Sequence, residues 1–325
     1  MNITNCTLPS RFGIRAIKLI LVGVVIYYVT SYVIRNLAGL PTDYLGFSAR
    51  SFALSVIFLV ASVISYAAIW QYITVCNSCN IPWEKGITAW FYAELGKYIP
   101  GRVLLFAGKL YFYKCEGISP SKVTICFILE QACCLAACMV VFLLGTSATC
   151  PPQLTWLHRS AILLLLPTII AIHPKILQWG SNIILSLFHQ SPISIEVSMA
   201  DVLRITGLYC ISFCLIGTGF FFLANALHPI PFRQIPYLIA TFACASLVGL
   251  LSVFAPSGIG VREGFLIIFL QILMPPGLAG VLSIIARLWT TSADVLISLF
   301  CLLWSRRIMT IHKTKQISTV HAAKP

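Results

Sequence analysis

Charge is what this sequence has least of. Only 10% of its 325 residues are Asp, Glu, Lys or Arg, where a soluble domain carries about 25%. So little charge cannot cover a water-facing surface, which excludes a soluble enzyme, a nucleic-acid-binding domain and a disordered chain. Acid is scarcer still. Nine carboxylate side chains stand against 22 Lys and Arg, and only Asp43, Asp201 and Asp294 are aspartates. There is no D-x-D pair, no H-E-x-x-H and no G-x-S-x-G, so none of the familiar catalytic signatures is present. No polar stretch is long enough for a folded soluble domain. What remains is 59% apolar residues and a mean hydropathy of +0.93, the composition of a polytopic membrane protein.

A helix crosses about 30 Å of hydrocarbon with about 20 apolar residues. Runs that meet this are 16–34, 52–74, 123–145, 202–227, 236–255 and 278–304. The run 160–172 is short and is followed by His173-Pro174-Lys175 and a second apolar run to Phe188. It reads either as one kinked helix or as a short span plus an interfacial helix. Segments 87–108 and 256–274 are apolar but interrupted by Pro and Gly, and read as re-entrant helices. The predicted fold is an all-α transmembrane helix bundle with six to eight crossings and two broken re-entrant segments.

The net charge of +13 sits between apolar runs and at the two ends. That pattern is the orientation signal of membrane proteins, and a basic surface also attracts anionic lipid. Arg11, Arg15 and Lys18 precede or open the first run, and Arg306, Arg307, Lys313, Lys315 and Lys324 follow the last. Both termini and the region 75–122 are therefore assigned to the cytoplasm, and 306–325 is a basic tail. The first run is long enough to span and no A-x-A site follows it, so it reads as an uncleaved helix. On the cytoplasmic side the sequons at Asn2 and Asn5 carry no meaning. The 13 cysteines form no framework. Most lie inside apolar runs as small packing residues, and the C-x-x-C of Cys76 and Cys79 lacks further ligands at zinc spacing. No metal or other cofactor is implied.

The first break reads Glu94-Leu95-Gly96-Lys97-Tyr98-Ile99-Pro100-Gly101-Arg102, and the second Pro256-Ser257-Gly258-Ile259-Gly260-Val261-Arg262-Glu263-Gly264. Pro100 and Pro256 are 156 residues apart (256 − 100), close to half the chain. Interrupted segments at matching places of two halves point to a transporter binding site. They suggest an internal two-fold repeat of about 1–159 and 160–305, parallel or inverted, within a single membrane domain. A helix that restarts after such a break exposes N–H groups, which an anion can satisfy. Arg102 and Arg262 are placed to add bidentate contacts to a phosphate. Gly101, Gly258 and Gly260 permit close backbone approach, and Glu94, Lys97 and Glu263 complete a polar lining. The same Pro and Gly could instead form simple turns with the arginines reaching to the interface.

Three charged residues lie well inside spans, away from their ends. Glu130 lies in the 123–145 run, and Arg287 and Asp294 in the last. Such residues pair with one another or face a polar cavity. A spacing of seven puts Arg287 and Asp294 on one helix face, about 10 Å apart along the axis. Each is expected to meet another helix: Glu130 or Glu263 for Arg287, and Lys97 or Arg102 for Asp294.

On these residues the chain resembles the transmembrane region of lysylphosphatidylglycerol synthase, a flippase-like membrane family with stand-alone members. Residues 96–102 resemble its G-K-Y-hydrophobic-P-G-K/R signature, and 109–117 its following basic, aromatic stretch. Residues 256–264 match P-x-G-hydrophobic-G-hydrophobic-R-E-G, and Arg287 with Asp294 fits R-x6-D. Gln131 stands where the family has Arg after Glu130. The resemblance implies a bacterial cytoplasmic-membrane protein that moves a polar- or phosphate-headed lipid between leaflets without the synthetase activity. The substrate would be a membrane phospholipid or lipid-linked molecule, and a lipid-modifying enzyme is a conceivable partner. Read from the residues alone, an intramembrane transferase using a lipid-linked donor and an ion-coupled small-solute transporter also stay open.

Overall fold

The broken and unbroken apolar runs become helices of two lengths. In the computed structural model the described residues are 47–98, 103–147, 155–187, 197–252, 258 and 260–322, with side chains through residue 301 apart from 184 and 185. They all belong to the compact unit Tyr44–Pro325. The expected first span, 16–34, lies outside them, as do Pro100, Gly101, Arg102 and Pro256.

Ten helices follow one another among these residues: α1 (Ala49–Cys76), α2 (Trp83–Glu94), α3 (Val103–Cys115), α4 (Pro120–Ser147), α5 (Thr155–Ala171), α6 (Pro174–Leu187), α7 (Met199–Leu227), α8 (Ile235–Leu251), α9 (Val261–Leu270) and α10 (Pro276–Ala322). There is no strand among the described residues. Five segments are long and apolar enough to cross a membrane: α1, α4, α7, α8 with its leading turn (Phe232–Leu251), and Pro276–Cys301 of α10. These coincide with five of the six expected spans. α5 and α6 are bent by 76° to each other and add a sixth crossing if taken as one. The bend falls where Pro174 cannot continue the hydrogen-bond ladder of α5.

Local chemistry sets the helix ends. Ser198 Oγ accepts the Asp201 N–H at 3.2 Å, and Asp201 Oδ2 accepts the Ser198 N–H at 3.2 Å, a capping box that starts α7. Pro120 occupies the first position of α4, where a missing N–H is harmless. The short helices have other origins. α2 has 12 residues and tightens into a 3-10 turn, Leu95–Tyr98. α3 has 13 and α9 has 10. At 1.5 Å per residue none reaches across about 30 Å.

One order occurs twice: long helix, broken pair, long helix. It is α1, α2/α3, α4 and then α7, α8/α9, α10. The leading helices α1 and α7 lie side by side and antiparallel. Ser48 N–H donates to Ala226 O at 2.9 Å, the Phe58 and Phe222 rings stack at 5.7 Å, Ser65 and Ser212 hydroxyls meet at 2.7 Å, and Tyr66 lies 5.8 Å from Tyr209. The second set therefore runs opposite to the first, an inverted arrangement. Contacts across the sets correspond too. α4 packs on α8, where Gly145 faces Pro236 and Ala240. α10 packs on α2, where Ser298 Oγ donates to Phe91 O at 3.1 Å.

The interior between the two sets is dense. Trp70, Tyr113, Phe220, Phe221, Phe242 and Phe269 are fully buried. Outward, large apolar side chains such as Leu163, Leu166 and Trp179 are exposed, as on a surface wetted by hydrocarbon.

Candidate functional site

Charged side chains from both sets converge on one cavity of about 200 Å³. Every helix of the two sets contributes to its wall. Part of that wall is apolar, including Leu59, Val63, Phe213 and Ile216, and part carries Glu94, Lys97, Lys109, Glu130, Arg262, Arg287 and Asp294. Charges at this depth must be neutralised by partners, and the pairing explains most of them.

The first cluster ties the end of α2 to α10. Lys97 Nζ lies 2.8 Å from Glu94 Oε1 and 2.8 Å from Asp294 Oδ2. Tyr98 donates its hydroxyl to the same Asp294 oxygen at 2.7 Å. Both Lys97 and Tyr98 reach Asp294 of α10 from the 3-10 turn that ends α2.

The second cluster joins α3 to α4. Lys109 Nζ lies 2.6 Å from Glu130 Oε2 and 3.6 Å from the Trp70 ring centre. Gln131 Nε2 donates to Glu130 Oε2 at 3.3 Å and Trp90 Nε1 to Glu130 Oε1 at 3.4 Å. The ammonium thus has a carboxylate and an aromatic face, and the carboxylate has three donors.

The third cluster joins α9 to α10. Glu263 Oε2 accepts the Gly260 N–H at 2.6 Å, while Glu263 Oε1 lies 3.7 Å from Arg287 Nη1. Gly258 and Gly260 have φ of 68° and 85°, a region open to glycine at little strain. A Cβ on Gly258 would stand 2.5 Å from Gly249 Cα, so the break lies directly against α8.

Arg262 differs from the other three cations. Among the described residues no carboxylate lies within ion-pair distance of it, and its buried Nε has no hydrogen-bond partner. Its guanidinium lies over the Phe242 ring, 4.6 Å from the centre. Its stem passes Gly249, with carbons 3.6–3.9 Å from where a Cβ would stand, an ordinary van der Waals distance. Lys97, Lys109 and Arg287 are engaged by Glu94, Asp294, Glu130 and Glu263. The Arg262 guanidinium lies over the Phe242 ring at the cavity wall.

Of the residues anticipated from sequence, Glu94, Lys97, Glu130, Arg262, Arg287 and Asp294 share this cavity. Gly258, Gly260 and Glu263 shape the break behind Arg262 and do not line it. Pro100, Gly101 and Arg102 lie outside the described residues. At the restarted helix end the Gly260 N–H is taken by Glu263 within the same turn. Arg287 meets Glu263 rather than Glu130, and Asp294 meets Lys97. Glu130 goes instead to Lys109, which sequence reasoning passed over although a lysine inside the otherwise apolar run of α3 was the available signal. Phe242 and Tyr98 carried no such signal. Among the described residues no group of three His, Cys, Asp or Glu side chains is placed to hold a metal ion.

No family model matches the chain, and no curated protein matches it in sequence.

Proposed function

We propose that this protein is a membrane lipid translocator, moving a polar- or phosphate-headed lipid between the leaflets of a bacterial cytoplasmic membrane with both termini on the cytoplasmic side. The observation that carries the reading is Arg262: a cation at the wall of an intramembrane cavity, without an ion-pair partner among the described residues and with an unsatisfied buried Nε. A guanidinium so placed suits a phosphate oxygen, which would take the place of the missing hydrogen-bond partner. The cavity volume of about 200 Å³ fits a headgroup, since pockets for drug-sized ligands run about 300–1,000 Å³. The acyl chains would stay in the bilayer along the apolar wall. The resemblance of residues 96–102 and 256–264 to the flippase-like region of lysylphosphatidylglycerol synthase supports the same class, and we propose membership of that family on those motifs.

The test is leaflet exchange of a fluorescent phospholipid in proteoliposomes. Exchange by Arg262→Ala protein is expected to fall by an order of magnitude or more. A rate equal to wild type would remove the site from the reading.

A further inference from the structure

The cavity has two kinds of wall. Where α8 meets α4 and α7, the helices touch backbone to backbone. A Cβ on Gly145 would stand 2.4 Å from Pro236 O, and one on Gly217 2.6 Å from Ile239 Cα. That seam is closed by backbone contact and by buried apolar side chains, among them Phe220 against Phe242 at 5.2 Å. Its counterpart in the inverted set, between α2 and α10, is spanned by polar side chains: Lys97 to Asp294, Tyr98 to Asp294 and Ser298 to Phe91 O.

We infer that the α2–α10 seam is the entrance to the cavity and that the Lys97–Asp294 ion pair is its latch. Exposure separates this pair from the other buried lysine pair. The Lys97 side chain is 21% exposed, against 1% for Lys109. The two carboxylates are equally buried at 8%, so the difference lies at the lysine: water can reach Lys97 when the pair opens, whereas separating Lys109 from Glu130 would strand two charges in the interior. Position separates them as well. Lys97 stands in the 3-10 turn that ends α2, so release frees a helix end rather than a mid-span. Ser298 and Phe91 join the same two helices about one turn along α10 from Asp294. The inference concerns access alone and holds whichever solute the cavity takes.

A native thiol reports on it. Cys134 lines the cavity and is partly buried, Cys126 is fully buried, and Cys115 is exposed at the end of α3. The experiment measures N-ethylmaleimide alkylation of each cysteine by peptide mass spectrometry, on the full chain in detergent. Asp294→Asn is expected to raise the Cys134 rate on the order of tenfold, the factor that about 1.4 kcal/mol makes in an opening equilibrium. Lys97→Met should do the same. The two changes alter local charge in opposite senses, so a shared rise reports access rather than thiol ionisation. Asp294→Glu should return the rate towards wild type, with Cys115 unchanged throughout. The inference is overturned if Cys134 reacts at the wild-type rate in both variants, or if Cys126 rises in step with it, which would mean general loosening. Loss of lipid exchange in Arg262→Ala bears on the proposed function and leaves this result untouched.

Discussion

Lys109 and Glu130 form an ion pair of 2.6 Å with side chains only 1% and 8% exposed, under the face of Trp70. Its counterpart in the inverted set is Glu263 with Arg287 at 3.7 Å. In each set a charged residue on the short helix after the break grips the long helix that follows, and the polarity is reversed between them.

Breaking the first grip from one side leaves a charge buried without its partner. Lys109→Met is expected to destabilise the protein by about 3–5 kcal/mol. Lys109→Met combined with Glu130→Gln should recover a large part of that loss. Thermal unfolding followed by tryptophan fluorescence in detergent measures both, and equal losses in the single and double variants would contradict the pairing.

Glycines divide by what surrounds them. Gly145→Ala and Gly217→Ala put a Cβ against backbone at 2.4 and 2.6 Å and should lower the melting temperature. Gly280 is helical and has nothing within 4 Å of a built Cβ, so Gly280→Ala should be neutral or stabilising by up to about 1 kcal/mol. The same melting assay separates the two groups.

The Glu263 carboxylate caps Gly260, and hydrogen exchange can follow that amide. Glu263→Ala should speed exchange at Gly260, while Glu263→Gln keeps an acceptor and should preserve much of the protection. Identical exchange in Glu263→Ala and wild type would show that the bond contributes nothing to the break.

The Arg262 guanidinium lies over the Phe242 ring, 4.6 Å from its centre, and its planar fork is a shape that a lysine cannot copy. Arg262→Lys should therefore exchange lipid more slowly than wild type although the charge is kept. Phe242→Leu should slow exchange by a smaller factor, because the guanidinium loses its shelf but not its charge. Leaflet-exchange rates at two salt concentrations distinguish loss of charge from loss of placement.

The assignment of 75–122 to the cytoplasm can be checked at Cys115, which is exposed beside Lys114 and Glu116. A membrane-impermeant maleimide should label it in inside-out vesicles and spare it in right-side-out ones.

Much of the bundle was legible beforehand, for a simple reason. A hydrocarbon solvent forces backbone polar groups to pair within the segment, so apolar length alone predicts helices. Five anticipated spans coincide with α1, α4, α7, the α8 segment and α10. The two breaks were legible because Pro and Gly act locally, and α2 and α8 both end next to them. Glu94, Lys97, Glu130, Arg262, Arg287 and Asp294 could be singled out because charge inside an apolar run is anomalous.

Partner choice was not legible. Arg287 had two reachable carboxylates in the sequence, and only the placement of α9 against α10 selects Glu263. Lys109 looked like one more basic residue of a loop until α3 folded against α4. Phe242 looked like any apolar residue of its helix, and it became a shelf because α9 returns along α8.

Composition and local sequence thus determined the solvent, the helices, their breaks and which side chains are out of place in hydrocarbon, because each depends on neighbours along the chain. The tertiary structure alone decided that the two sets run opposite ways, that three cations are engaged by carboxylates, and that Arg262 has no such partner among the described residues. Those outcomes depend on distances between residues far apart in sequence, where Coulomb attraction and close packing act and linear order carries no information.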